Sequence, residues 1–76
     1  METQFLNTFV TVADRGSMAA AARSLHITPA AVAQQIRTLE RELGAPLIAR
    51  AGRTVSVTEE GARILERARA LLREVA

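Results

Sequence analysis

Apolar residues recur along this chain at helical spacing in some stretches and at strand spacing in one, with glycine, serine, threonine and proline at the breaks. The clearest stretch is residues 28–43, TPAAVAQQIRTLEREL, where Val32, Ile36, Leu39 and Leu43 follow at steps of four, three and four and so line one face of a helix. Thr28 is placed to cap it, because a threonine hydroxyl can accept a hydrogen bond from an orphan amide of the first turn. Pro29 fits the first helical position, where no amide donor is missed. Gly44 suits a left-handed stop, and Pro46 prevents a restart. The opposite face carries Ala30, Ala33, Gln34, Arg37 and Arg41, with no large apolar group among them. Such a face sits in solvent or lies against something polar and anionic.

Residues 3–15 predict a first helix with Phe5, Leu6, Phe9, Val10 and Ala13 on a broad stripe and Gly16 as its stop. Phe5 and Phe9, the only aromatics, are expected to anchor the core. Ser17 then caps a short alanine-rich helix, Met18 to Leu25, in which Ala21 and Ala22 permit close approach to a neighbour. His26 and Ile27 make the turn into the helix at 28–43. A short helix, a tight turn and a capped helix with a polar outer face describe a helix-turn-helix. Beyond Gly44 the rhythm changes: residues 47–50 and 54–58 are β-prone around Ala51-Gly52, predicting a two-stranded hairpin with Arg50 and Arg53 flanking its tip. Val55 and Val57 fall on one face, and Thr54, Ser56 and Thr58 on the other.

Thr58 caps a last helix, with Glu59 and Glu60 where the helix dipole favours anions. It carries two overlapping apolar stripes, Ile64, Ala68, Leu71, Val75 and Leu65, Ala68, Leu72, Val75, more than one small domain uses. One stripe is expected on the domain and the other on the same helix of a second subunit, with self-association through Leu65, Ala68, Leu72 and Val75. The expected architecture is therefore mostly α: a winged helix-turn-helix over residues 1–58, with a three-helix core and a two-stranded β wing, followed by a linker and dimerisation helix over 59–76. Because Ala76 ends the sequence inside a helix without a cap, a longer protein is expected.

Charge sharpens this picture. The 76 residues carry a net charge of +2. Arg15 and Arg23 balance Glu2 and Asp14, and the four arginines after residue 54 balance four glutamates. The excess falls in residues 27–53, where Arg37, Arg41, Arg50 and Arg53 face only Glu40 and Glu42. All ten basic residues are arginine, whose planar fork suits bidentate contact with phosphate or guanine. With one histidine, no cysteine, no paired inward carboxylates and no phosphate-cradling glycine loop, the sequence lacks the parts of an enzyme, a metal site or a cofactor site. No apolar run approaches the roughly 18 residues of a membrane span, and the start lacks a basic n-region, so a cytoplasmic location is expected.

On this frame Gln34 is suited to bidentate contact with adenine, and Ala30 and Ala33 permit close approach to a base edge. Arg37 has Glu40 within pairing distance along the helix, but a surface pair is worth only about 0 to 1 kcal/mol, which favours a phosphate role. Arg50 and Arg53 have no acid in residues 43–58 to neutralise them and are assigned to phosphate or minor groove. Arg41 reads as solvated, His26 as a turn residue and Met18 as core filling. The rival reading is a winged helix that serves as a protein-interaction or dimerisation module with weak DNA affinity.

These residues resemble the N-terminal DNA-binding domain of LysR-type bacterial transcriptional regulators. The likeness covers essentially the whole chain and rests on Phe9-Val10 with Ala13, Gly16-Ser17-Met18, Ala21-Ala22, Leu25-His26-Ile27, Gln35-Ile36, Leu39-Glu40, Glu42-Leu43-Gly44, Pro46-Leu47, Arg50, and Thr58 with Gly61. The resemblance implies a dimerising linker helix, a C-terminal domain that takes a small-molecule inducer and is absent from this chain, and usually a tetramer on imperfect inverted repeats near promoters, at the bacterial nucleoid. It implies DNA contacts at Thr28, Pro29, Ala30, Ala33, Gln34 and Arg37 and at the wing residues Arg50 and Arg53, with Thr28 bonding phosphate through hydroxyl and amide. The chain departs from the family pattern where Pro29-Ala30 replaces Gln-Pro and Ala33-Gln34 replaces Ser-Arg. Three expected hydrogen-bonding side chains are missing or changed there, which bears on the operator sequence and leaves the fold untouched.

Overall fold

The computed structural model describes residues 2–75. Helix α1 spans Thr3–Arg15, α2 Met18–Leu25 and α3 Pro29–Leu43; strands β1, Ile48–Ala51, and β2, Thr54–Val57, follow, and α4 runs Glu59–Val75. The expected fold class, a winged helix-turn-helix with a long last helix, is the fold observed.

Local chemistry sets the helix ends. Ser17 accepts the Ala20 amide at 3.2 Å and Thr28 the Ala31 amide at 3.0 Å, satisfying first-turn donors that no carbonyl can reach. Gly16 and Gly44 end α1 and α3 in the left-handed region, at φ of 67° and 72°. His26 does the same for α2 at φ 59°, the one non-glycine residue with positive φ among those described. A bulky side chain there is a local cost, met by a compact turn in which the Ile27 amide returns to the Ala22 carbonyl at 3.1 Å.

The core joins Leu6, Phe9 and Val12 of α1, Ala21 and Ala22 of α2, Val32, Ile36 and Leu39 of α3, Leu47 before the wing, and Ala68 of α4. The α3 stripe is as its spacing predicts, with Leu43 partly covered at the end. The α1 stripe is rotated from the expected one: Val12 is fully buried, while Phe5 and Val10 only flank the core. Thr8 is buried on the same face, and its hydroxyl lies 2.5 Å from Gln35 Oε1 of α3 and 3.1 Å from the Gln4 carbonyl. A buried hydroxyl without a partner costs about 1 to 3 kcal/mol; Gln35 supplies that partner and sets α1 against α3.

The hairpin is antiparallel, with Ile48 opposite Val57, Arg50 opposite Val55 and Ala51 opposite Thr54. Strand β1 lies one residue later than the expected 47–50, while β2 begins at Thr54 as expected and ends one residue short of Thr58, so the turn is Gly52-Arg53 and Arg53 sits in the tip itself. Gly52 has φ 62° and Arg53 has negative φ, the pattern of a hairpin turn with glycine first. The wing is fastened to the domain by the Val55 amide on the Gly16 carbonyl, 2.9 Å, and by the Thr58 amide on the Leu47 carbonyl, 3.0 Å. The Thr58 hydroxyl accepts the Gly61 amide at 2.9 Å and donates to the Pro46 carbonyl at 2.6 Å, capping α4 as expected and tying it to the loop before the wing.

Helix α4 packs on α1 and carries an Asp14–Arg69 ion pair at 2.6 Å. Its two stripes do not divide cleanly between domain and partner. Ala68, common to both, is buried in the chain's own core, and Ile64 and Leu65 pack against that core. Leu71 instead is 52% exposed, the one exposed large apolar residue among those described. Leu72 is half-buried; the Val75 side chain and Ala76 lie outside the described residues.

Candidate nucleic-acid interface

The outer face of α3 is built as its spacing requires. Steps of four place Pro29, Ala33 and Arg37 on one ridge and Ala30 and Gln34 on the next. Thr28, Pro29, Ala30, Gln34 and Arg37 are exposed, and Ala33 is half-buried.

The hairpin register decides where the arginines go. Side chains alternate along a strand, so Arg50 shares the domain-facing side of the wing with Ile48 and, across the pair, Val55 and Val57. It is exposed all the same, as a long side chain with a charged end can be on an apolar face. From there Arg50 borders two clefts. One, of about 310 Å³, lies between α3 and the wing and is lined by Ala33, Ile36 and Arg37 with Met18, Glu40 and Ile48. The other, of about 540 Å³, lies between α2 and the wing and includes Pro29, Arg53 and Gly52. The structure thus brings Ala33, Arg37 and Arg50 together on one side and Pro29, Arg50 and Arg53 on the other. Thr28, Ala30 and Gln34 stand on α3 beside these clefts and line neither.

The electrostatics of the first cleft turn on Glu40. Its Oε2 accepts the Leu47 amide at 2.8 Å, which bolts the end of α3 to the base of the wing. That carboxylate is therefore engaged with the backbone and not with Arg37, the pairing considered from the sequence. Among the described residues Arg37, Arg50 and Arg53 form no ion pair, and the pairs present are Arg63 with Glu60 and Arg69 with Asp14. Arg41 donates to Thr38 at 3.2 Å on the exposed surface, in keeping with a solvated role. The Glu40 link joins residues seven apart across a loop, and no local sequence signal identifies it.

A small-residue helix pair with a tight left-handed turn, a capped helix with an open polar face and an arginine-tipped hairpin beside it define a winged helix-turn-helix domain. The family model described as "Bacterial regulatory helix-turn-helix protein, lysR family" matches residues 3–62, and the chain belongs to that family. It is 44% identical over 72 residues to the HTH-type transcriptional regulator ClcR of Pseudomonas putida, which covers 95% of this chain and 24% of ClcR. Among solved structures it is similar to the CbnR_DBD–DNA complex, with TM-score 0.95 and 39% identity over 99% of this chain and 86% of that one. It is also similar to the BenM_DBD/benA site 1 DNA complex, with TM-score 0.93 and 39% identity over 99% and 84% of the two chains. The chain spans about a quarter of the length of the first curated relatives it matches, 24% in ClcR.

Proposed function

We propose that this domain binds double-stranded DNA sequence-selectively as the reading head of a longer bacterial transcriptional regulator, with α3 in the major groove and the wing on the backbone or minor groove. The observation that carries the reading is the open Ala30–Gln34 and Ala33–Arg37 face of α3, flanked by wing arginines that no acid neutralises among the described residues. The likeness to two DNA-bound domains supports it. Thr28 and Pro29 present the helix N-terminus to phosphate, Gln34 and the small Ala30 and Ala33 meet base edges, and Arg37, Arg50 and Arg53 meet the backbone. Selection of bound fragments from a genomic pool tests this. The protein should enrich a reproducible motif, and Gln34→Ala should relax one position of it at a cost of about 1 to 3 kcal/mol. An unchanged motif removes Gln34 from base contact. Retention of no fragment would sink the DNA reading in favour of a protein-interaction module.

The same reading makes the regulator a homodimer through α4, so that two heads meet an imperfect inverted repeat by two-fold symmetry. Tetramers form and a small-molecule inducer acts through a further domain, and the protein works in the cytoplasm at the nucleoid. Leu71 supports the dimer, because it rims a cavity of about 210 Å³ with Leu6, Leu43, Ile64 and Ala68 and stays half exposed in the single chain. Leu71→Asp should shift sedimentation from dimer to monomer while leaving the far-ultraviolet circular dichroism of the domain unchanged, since Leu71 is 52% exposed in the single chain; the melting temperature should fall only by the stabilisation that dimerisation itself supplies. A variant that still sediments as a dimer moves the contact to Leu65, Leu72 and Val75.

A further inference from the structure

The cleft between α2 and the wing contains an arginine that the charge count hides. Residues 1–26 sum to zero because Arg15 and Arg23 are set against Glu2 and Asp14. In the fold Asp14 is spent on Arg69, 55 residues away, and Arg15 donates to Ser24 at 3.3 Å. Arg23 is left exposed in the last turn of α2, and its side chain makes no hydrogen bond or ion pair among the described residues. It lines the 540 Å³ cleft together with Arg50 and Arg53, and no acidic residue lines that cleft. Three guanidiniums around one concave space repel one another unless an anion lies between them. The rest of the lining points to a polyanion that passes through. Pro29 opens α3 there, where the positive end of the helix dipole favours negative charge. Ala19 and Gly52 present almost no side chain to an approaching strand.

We propose that Arg23 is a DNA-backbone contact, and that the cleft it forms with Arg50 and Arg53 holds the sugar-phosphate strand running from the major groove at α3 to the wing tip. The proposal rests on the DNA-binding reading above. In it the backbone is gripped from both sides, by α2 and by the wing, whereas the sequence assigned phosphate to the wing, to the N-terminus of α3 and to Arg37, and nothing to α2. The contact is to phosphate, so it is independent of base sequence.

Salt-dependent binding of the purified protein to a short fluorescent duplex of arbitrary sequence tests it, by anisotropy across a series of sodium chloride concentrations. Arg23→Gln should reduce the slope of log affinity against log salt by about 0.9, the release expected for one phosphate contact, whereas Arg23→Lys should keep the wild-type slope. Arg63→Gln, which removes an arginine held by Glu60, serves as the control and should leave the slope unchanged. A wild-type slope in Arg23→Gln would overturn the proposal while the DNA reading stands. So would a changed motif in fragment selection at constant slope, which would make Arg23 a base reader. A wild-type protein that binds no duplex at any salt would overturn the DNA reading itself.

Discussion

Gly61→Ala should be among the most destabilising single-methyl changes in this domain. A Cβ at position 61 would stand 2.1 Å from the Leu47 carbonyl oxygen and 2.9 Å from its carbon. The obstacle is backbone, and it cannot retreat. Leu47 is fully buried, its amide donates to Glu40, and its carbonyl accepts the Thr58 amide. Gly61 is held from the other side by the Thr58 hydroxyl on its own amide. Alanine gains up to about 1 kcal/mol in helix propensity, against an overpacking penalty at or above the top of the usual 1 to 3 kcal/mol. A net loss of about 2 to 3 kcal/mol, a fall in Tm of roughly 10 to 20 °C for a domain this size, should appear in thermal unfolding followed by circular dichroism. Gly44→Ala is the comparison: nothing lies within 4 Å of its Cβ, so only the positive φ of 72° is penalised, at about 1 to 2 kcal/mol. If the two variants melt together, the clash at Leu47 is relieved by movement and α4 is less firmly seated than its contacts imply.

That contact also shows where sequence reading stops. The bounds of α1, α2 and α3 are legible because their signals are local: Ser17 and Thr28 act on amides three residues on, and Gly16 and Gly44 act through their own φ. The exposed polar face of α3 is legible for the same reason, since its spacing alone separates Gln34 and Arg37 from Val32, Ile36 and Leu39. The buried stripe of α1 is rotated from its apolar spacing because Thr8 counts as polar until Gln35, 27 residues later, supplies its partner. Strand β1 begins one residue later than its composition suggests because Ala51 pairs with Thr54 and closes the connection to Gly52-Arg53, a choice made by cross-strand pairing and by the Val55–Gly16 hydrogen bond. Composition likewise treats Arg23 as neutralised by a nearby acid, but charge balance along a chain is not charge balance in space. The Glu40–Leu47 link, which fixes the wing relative to α3, belongs to the same class of long-range polar contacts.

The wing's share of binding follows from that geometry. Because Gln34 is the only amide on the outer face of α3 and Ala30 and Ala33 cannot donate, base contacts alone provide little hold. Arg50 and Arg53 together should then carry an unusually large part of the affinity. Each phosphate contact contributes about 0.9 to the salt slope, so Arg50→Ala with Arg53→Ala should lower it by about 1.8 and weaken binding on the order of thirtyfold near physiological salt. Both side chains are exposed and make no hydrogen bond among the described residues, so the melting temperature should hardly move. The two should also be separable. Arg53 sits in the turn and lines only the cleft between α2 and the wing, whereas Arg50 lies between both clefts and is positioned beside Arg37 as well. Arg50→Ala should therefore couple with Arg37→Ala in a double-mutant cycle, with an interaction energy above about 0.5 kcal/mol, and Arg53→Ala should be additive with it. Additivity in both cycles would mean that the α3 cleft holds no shared phosphate, leaving Arg50 to the α2 side of the wing alone.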